Sequence, residues 1–476
     1  MNKILKSTFI LFIGTLVVKS IGMYFRSTLS VSLGSEGMGI YEMIFSVYLL
    51  IVTLAYSGVN IAVVRLSGEG RIYGRSLVFT AQRLIVPLSV AVGGVLFAVA
   101  PFVAETLLKA QASTAPLRIL SFSVPFMSMS ICFSSWYIGQ GNTAVPVLCQ
   151  IAEQTLRIVV LKTMLKMGAL PLVACAWAMS MGEVLSCIFI GAVFLKSGGR
   201  RGRVKRGIVP KILEICVPVG LGNYLSSGIG TAENILFPRM LSRHSDNALS
   251  QYGMLSGMVM PMITFPSALL TSLSTVLMPS VAKSGDGREV KPYLDFTLKA
   301  SVLIASIFLF FPYRLGSAIY SSVRVGQYVG RLSFIVPLMY TESIISSALN
   351  GLGKQRFLVI INGAEQVAML FVILFLVPKW GLTAYIGAMF AGAGITCFIK
   401  LCVMLKISDF SFDIAGMLVI PVLCAAFSGI TAKAVCAHFL WGRVNLVTDL
   451  VIGIALQATI YLILMKIFNK KENNSV

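Results

Sequence analysis

The chain has 476 residues, of which 57% are hydrophobic and 12% charged, with 39 Lys+Arg against 18 Asp+Glu and a formal net charge of +21. Its mean hydropathy is +0.87. A soluble surface needs roughly twice this charge density, so a water-soluble domain is excluded and the bilayer is the solvent. The excess of cations would suggest nucleic acid in a soluble protein, but here it sits at the edges of apolar segments, and no nucleic-acid partner is expected.

The first apolar segment, 8–31, has a lysine-flanked start, yet Lys19 and Arg26 interrupt it and no small-residue cleavage site follows. It is expected to be a retained helix. Further spans of about 20 apolar residues fall at 38–64, 82–107, 117–138, 144–167, 171–195, 210–236, 249–279, 294–313, 328–349, 356–377, 381–405, 414–437 and 446–468. The fold class expected is all-α and polytopic, with about fourteen transmembrane helices. Pro218, Gly220, Gly222, Gly228 and Gly230 should soften the seventh, and Pro261 with Pro266 should interrupt the eighth.

A stretch near residue 120 recurs without a gap 212 positions later. Leu120, Ser121, Phe122, Val124, Pro125, Gly139, Gly141, Glu153 and Gln154 return as Leu332, Ser333, Phe334, Val336, Pro337, Gly351, Gly353, Glu365 and Gln366. Two related halves in a membrane protein suggest transport by rocking about a midplane site.

Charge placement sets the expected topology. With the N-terminus in the cytoplasm, Lys3 and Lys6, then Arg65, Arg71, Arg75 and Arg83, then Lys196, Arg200, Arg201, Arg203, Lys205, Arg206 and Lys211 fall on one side. Lys354, Arg356, Lys400, Lys406, Lys466, Lys470 and Lys471 join them, whereas opposite loops carry one or two cations each, such as Lys109, Lys379 and Arg239 with Arg243. The positive-inside rule then places both termini in the cytoplasm and makes the number of spans even.

Catalytic chemistry is missing from the pattern. No G-x-x-x-x-G-K-[ST] occurs, and Gly353-Lys354 lies in a tight turn between two spans. Asp246, Asp286, Asp409 and Asp413 are scattered singly, and no nucleophile adjoins a base. The nine cysteines show no CxxC pair and are accompanied only by His244 and His438, so neither zinc nor a disulfide framework is indicated. The chain is not expected to be an enzyme, and no cofactor is expected.

What remains is charge inside the membrane, which costs at least roughly 2.5–3.5 kcal/mol per group unless it faces a cavity or a partner. Lys19 and Arg26 are seven apart and share a helical face. They read either as a substrate-binding stripe for an anionic group, Arg26 offering a fork and Lys19 a point charge, or as charges neutralised by Glu42, Glu153 or Glu183. Glu153 and Arg157 have the spacing of an intrahelical pair, but the repeat places Met369 opposite Arg157, so Glu365 must find another cation, take up a proton or face water. Glu214 and Glu233, with Asn223 and Asn234, mark the seventh span; Glu233 could bind a coupling Na⁺ or proton, with Asn362, Gln366 and Thr383 as companions, or these groups could simply bridge helices.

Pro218-Val219-Gly220-Leu221-Gly222-Asn223, Glu233-Asn234-Ile235-Leu236-Phe237-Pro238-Arg239-Met240-Leu241, Gln251-Tyr252-Gly253-Met254 and Pro261-Met262-Ile263-Thr264-Phe265-Pro266 resemble the stage V sporulation protein B group of oligosaccharide flippases. Gly37-Met38-Gly39-Ile40-Tyr41 and Gly139-Gln140-Gly141-Asn142 do so too. This group lies within the superfamily of multidrug, oligosaccharidyl-lipid and polysaccharide exporters, related to lipid II flippases. The resemblance implies two six-helix lobes, here 1–205 and 206–406, and two C-terminal helices, 407–476, framing a lipid-tail groove. It also implies flipping of an undecaprenyl-pyrophosphate-linked saccharide across the bacterial cytoplasmic membrane. The basic pair R-x-x-G-x-x-R of lipid II flippases is similar to Lys19-Ser20-Ile21-Gly22-Met23-Tyr24-Phe25-Arg26, which has Lys first and one extra residue before Arg26.

The function expected is therefore an ATP-independent flippase for a lipid-linked saccharide, a peptidoglycan precursor for spore cortex or another envelope unit. Its partners would be that cargo, membrane lipids and cell-wall synthesis proteins. The alternatives are a cation-coupled multidrug antiporter, which would favour an acidic or aromatic cavity, and a non-transporting scaffold for wall synthesis, which would leave intramembrane charge unexplained.

Overall fold

The computed structural model describes residues 2–68, 74–197, 207–284, 287–408, 412–439, 441 and 444–475. Arg71, Arg200, Arg201, Arg203, Lys205, Arg206, Asp286 and Asp409 lie outside these. Every regular element among the described residues is helical, as hydrocarbon requires of a chain that must satisfy its backbone within each segment.

In chain order these are α1 (Asn2–Tyr56), α2 (Val59–Gly68), α3 (Gly74–Phe102), α4 (Thr114–Gly139), α5 (Ala144–Lys166), α6 (Pro171–Ser197), α7 (Ile208–Leu241), α8 (Ala248–Tyr252), α9 (Met260–Thr264) and α10 (Ala268–Ser284). There follow α11 (Val290–Phe310), α12 (Pro312–Tyr320), α13 (Val323–Leu332), α14 (Ile335–Gly351), α15 (Gln355–Phe371), α16 (Val377–Ser408), α17 (Ile420–Phe439) and α18 (Leu446–Ser475). Two compact units form: Met1–Gly257 with Gln366–Leu382, and Met258–Glu365 with Thr383–Val476.

By length and composition, ten helices among the described residues can cross a bilayer, and eleven if α13 and α14, bent by 57°, form one span. This is fewer than the fourteen expected, for identifiable reasons. The run Ile13–Tyr56 has 44 residues and Gln355–Ser408 has 54. At about 1.5 Å per residue these reach roughly 66 and 81 Å, more than twice the ~30 Å hydrocarbon core. Each contains one glycine with non-helical backbone, Gly34 at φ 67° and Gly381 at φ 62°, a region that glycine enters without a Cβ penalty.

Two other expectations are corrected, and one, the interruption of the eighth span, is met. The second span stops at Tyr56 rather than running to 64, because Gly58, at φ 87°, meets the backbone of Cys216 on α7 so closely that a Cβ would overlap it. The eighth is indeed interrupted, into α8, a π-helical turn, α9, a 3₁₀ turn and α10, whereas α7 runs unbroken from Ile208 to Leu241 through Pro218 and its glycines. The span expected at 328–349 is the bent pair α13–α14.

The sequence repeat is a structural repeat. The turn after α4 is closed by Gly141 N–H to the Ile138 carbonyl (2.9 Å) and Asn142 N–H to the Tyr137 carbonyl (2.9 Å). The turn after α14 is closed by Gly353 to Asn350 (3.1 Å) and Lys354 to Leu349 (2.9 Å), each 212 positions on, with Gly141 and Gly353 at φ 73° and 74°. Around it, α4 packs on α2 and α3 in the first unit as α14 packs on α10 and α11 in the second.

In the first unit α1 and α8 approach to backbone contact. A Cβ on Gly253 would overlap the Ser35 carbonyl and the Gly39 backbone, and one on Gly39 would overlap the Leu249 carbonyl. Gly253→Val should therefore lose at least about 1–3 kcal/mol through overpacking against atoms that cannot rotate away. A lowered thermal unfolding midpoint in detergent checks this, with Gly94→Ala, whose Cβ would meet open space, expected to leave the midpoint unchanged or slightly raised.

Candidate functional site

In the first unit α1 carries both halves of an ion pair. Arg26 Nη1 donates to Glu42 Oε1, and the two side chains are only 22% and 14% exposed. Sixteen residues of straight helix would hold them about 24 Å apart. The pair exists because the chain folds back at Gly34, the midpoint between them. The Arg26 guanidinium also lies 5.7 Å from the centre of the Tyr41 ring and 3.5 Å from the Gly257 carbonyl oxygen. Lys19 is partly buried two turns earlier on the same helix.

A second, more tightly held cation stands beside it. Arg157 of α5 donates to Glu153, one turn earlier at 2.5 Å, and to Glu183 of α6 at 2.6 Å. Gly182 makes room, since a Cβ there would press on the Arg157 side chain. Both guanidinium charges reach the buried Tyr41 hydroxyl, and Tyr48, bonded to Ser123 Oγ at 2.8 Å, feels Arg157 and its two carboxylates. The unit thus sets Lys19, Arg26 and Arg157 against Glu42, Glu153 and Glu183, three cations and three carboxylates. Of the partners read for Arg26 from the sequence, Glu42 is the one it meets.

The second unit builds a cluster of one cation and two carboxylates. Lys400 of α16 is fully buried and donates to Glu342 of α14 and, at 2.7 Å, to Asn362 Oδ1 of α15. Glu365, the repeat partner of Glu153, lies within the field of Glu342 and Lys400 and against Gly392, where a Cβ would crowd its Oε1. Lys400 is the cation of this cluster, and its ion pair is with Glu342. Its reading as a cytoplasmic loop charge is corrected: it belongs to the membrane interior. Sequence reasoning misses Glu342 altogether, although an acid inside the 328–349 span is the signal for it.

Two of the companions expected for Glu233 have partners of their own. Asn362 gives its oxygen to Lys400, an internal cation in place of a bound one, and Gln366 exchanges bonds with Ser226 of α7 at 2.9 and 3.2 Å. Glu233 is half-buried on α7, Asn234 accepts from Tyr252 at 3.1 Å, Asn223 donates to Ser57 at 2.9 Å, and Glu214 is exposed.

Residues 4–285 match the family described as polysaccharide biosynthesis protein, more than half of the chain. The chain belongs to that family. Stage V sporulation protein B of Bacillus subtilis (strain 168) is 24% identical over 501 aligned positions, covering 98% of this chain and 95% of the relative. Among solved structures, the lipid II flippase MurJ in an inward closed conformation superposes with a TM-score of 0.70 at 16% identity, covering 97% of this chain and 99% of that one. A mutant of the Vibrio cholerae MATE transporter VcmN gives 0.66 at 15%, covering 85% and 96%. This member of the polysaccharide biosynthesis protein family is thus a multi-pass membrane protein with the fold of both.

Removing Arg157 would leave two buried carboxylates facing each other. Arg157→Ala should destabilise the protein by about 3–5 kcal/mol, and adding Glu183→Gln should recover part of that loss. Thermal unfolding in detergent reads both; a second substitution that only adds to the damage would show that Glu183 is held by something other than Arg157.

Proposed function

We propose that this protein is an ATP-independent flippase that carries an undecaprenyl-pyrophosphate-linked saccharide, a peptidoglycan precursor or related envelope unit, across the cytoplasmic membrane by alternating access. One observation carries the reading: Arg26 is a guanidinium inside the membrane paired with the carboxylate of Glu42, whereas Arg157 is locked between two carboxylates. A pyrophosphate offers more charge and more acceptor oxygens than one carboxylate, so it can take the Arg26 fork from Glu42 and recruit Lys19 as a second donor. The name of the lipid II flippase supports a lipid-linked cargo, and that of stage V sporulation protein B supports sporulation, with spore cortex as the specific setting.

In this reading Gly34 and Gly381 each separate two spans, and the bent pair and the broken 249–279 segment each cross once. That makes fourteen spans, as lobes 1–205 and 206–406 with helices 407–476 added. The basic segments put both termini in the cytoplasm. Cycling draws on the membrane potential or on Na⁺ or proton binding, with Glu233 as the coupling carboxylate; about 2.3 kcal/mol per unit charge per 100 mV suffices to bias a rocking equilibrium.

Binding of undecaprenyl pyrophosphate to the purified protein tests the proposal. Losing a charge-assisted bond of about 1.5–3 kcal/mol should make Arg26→Ala bind roughly 10–100-fold more weakly. Glu42→Gln should bind more tightly, because the competing carboxylate is gone. Unchanged affinity in Arg26→Ala, or loss of binding in a folded Glu42→Gln protein, would refute the assignment.

A further inference from the structure

One cavity belongs to the second unit and shares no residue with the Arg26 and Arg157 clusters. It measures about 760 Å³ and opens among the end of α11, helices α12 and α13, the last turns of α17 and the start of α18. Among the described residues three cations line it, Arg314, Arg331 and Lys433, and no carboxylate does. Arg314 is partly spoken for: it pairs with the buried Asp449 and stacks over Trp441, 4.4 Å from the ring centre. Arg331 and Lys433 are exposed, so their two charges are the surplus.

The rest of the wall is aromatic and accessible, with Tyr313 54%, Phe334 61% and Trp441 39% exposed. Its setting is the end of apolar spans. α11 finishes at Phe310 and α18 begins at Leu446, while α13 packs Val325, Val329 and Leu332 against its own unit and presents Arg324, Gln327 and Arg331 on its open face. Exposed Trp and Tyr beside cations at the ends of apolar spans suit the headgroup layer, and basic pockets between spans suit phosphate headgroups.

We propose that this cavity seats the phosphate-bearing head of an anionic phospholipid, with Arg331 and Lys433 contacting the phosphate and Trp441, Tyr313 and Phe334 holding the glycerol and upper acyl chains. A free anion would use the cations but leave the aromatic wall exposed. A zwitterionic lipid would use the wall but bring its own cation against two others. The assignment stands apart from the flippase reading.

The probe is phosphatidylglycerol with brominated acyl chains, titrated into the purified full chain in detergent while tryptophan quenching is followed, with brominated phosphatidylcholine and inorganic phosphate as the other arms. Phosphatidylglycerol should half-saturate at a concentration roughly tenfold lower than phosphatidylcholine, about what two surface cations supply. Trp441→Phe should remove most of the saturable quench. Arg331→Gln with Lys433→Gln should abolish the preference, and Gln327→Glu, at an exposed lining position, should weaken it without removing a contact. Millimolar phosphate should not displace the lipid. Equal affinity for the two lipids, a preference that survives both the double substitution and Gln327→Glu, or displacement by phosphate alone would each overturn the proposal.

Discussion

Charge in hydrocarbon must be answered inside the protein, and that constraint organises this structure. Moving an ion into a low-dielectric interior costs several kcal/mol even after relaxation, so partners must arrive with good geometry and further hydrogen bonds. The first unit answers Arg26 by folding α1 back at Gly34 until Glu42 reaches it, and answers Arg157 from two helices at once. The second answers Lys400 with Glu342 and Asn362. Gly34, Gly182 and Gly392 stand where a side chain would strain the backbone or crowd these groups.

The two clusters also show how a duplication diverges. Helix, tight turn and helix survive 212 residues on, down to the same backbone bonds and the same positive φ at Gly141 and Gly353. The charges do not. Glu153 is kept as Glu365, but Met369 stands where Arg157 would repeat, and the cation of the second cluster, Lys400 on α16, pairs with Glu342 on α14. Backbone geometry is fixed by local turns, whereas ion pairs need only a partner within reach, and several positions on neighbouring helices qualify.

Much of the fold is legible in the sequence because hydrocarbon leaves a chain few choices: apolar runs, the repeat, the turn glycines and the Glu153–Arg157 spacing each report on local structure. What fails depends on helices meeting. The expected span 381–405 takes in Lys400 and leaves out Lys406, yet the charge rule assigns both to a cytoplasmic segment. Glu42 and Glu183 are only two of three candidates for neutralising Arg26, and the fold-back at Gly34 chooses between them. α7 stays unbroken through Pro218 where composition suggests weakness, since neighbouring helices support what propensity does not. The cavity around Arg331 and Lys433 is hidden from sequence reasoning because its cations come from helices about a hundred residues apart.

On this account Arg26 has a partner that a pyrophosphate can displace and Arg157 does not, which separates a binding group from a scaffold. The most direct measurement is translocation itself: purified protein in liposomes with a lipid-linked pyrophosphate saccharide, and head-group exposure in the opposite leaflet followed without nucleotide. The account predicts translocation well above protein-free vesicles for the wild type. A rate indistinguishable from empty vesicles under an imposed membrane potential, Na⁺ gradient and proton gradient alike, with the protein shown to be folded, would contradict it.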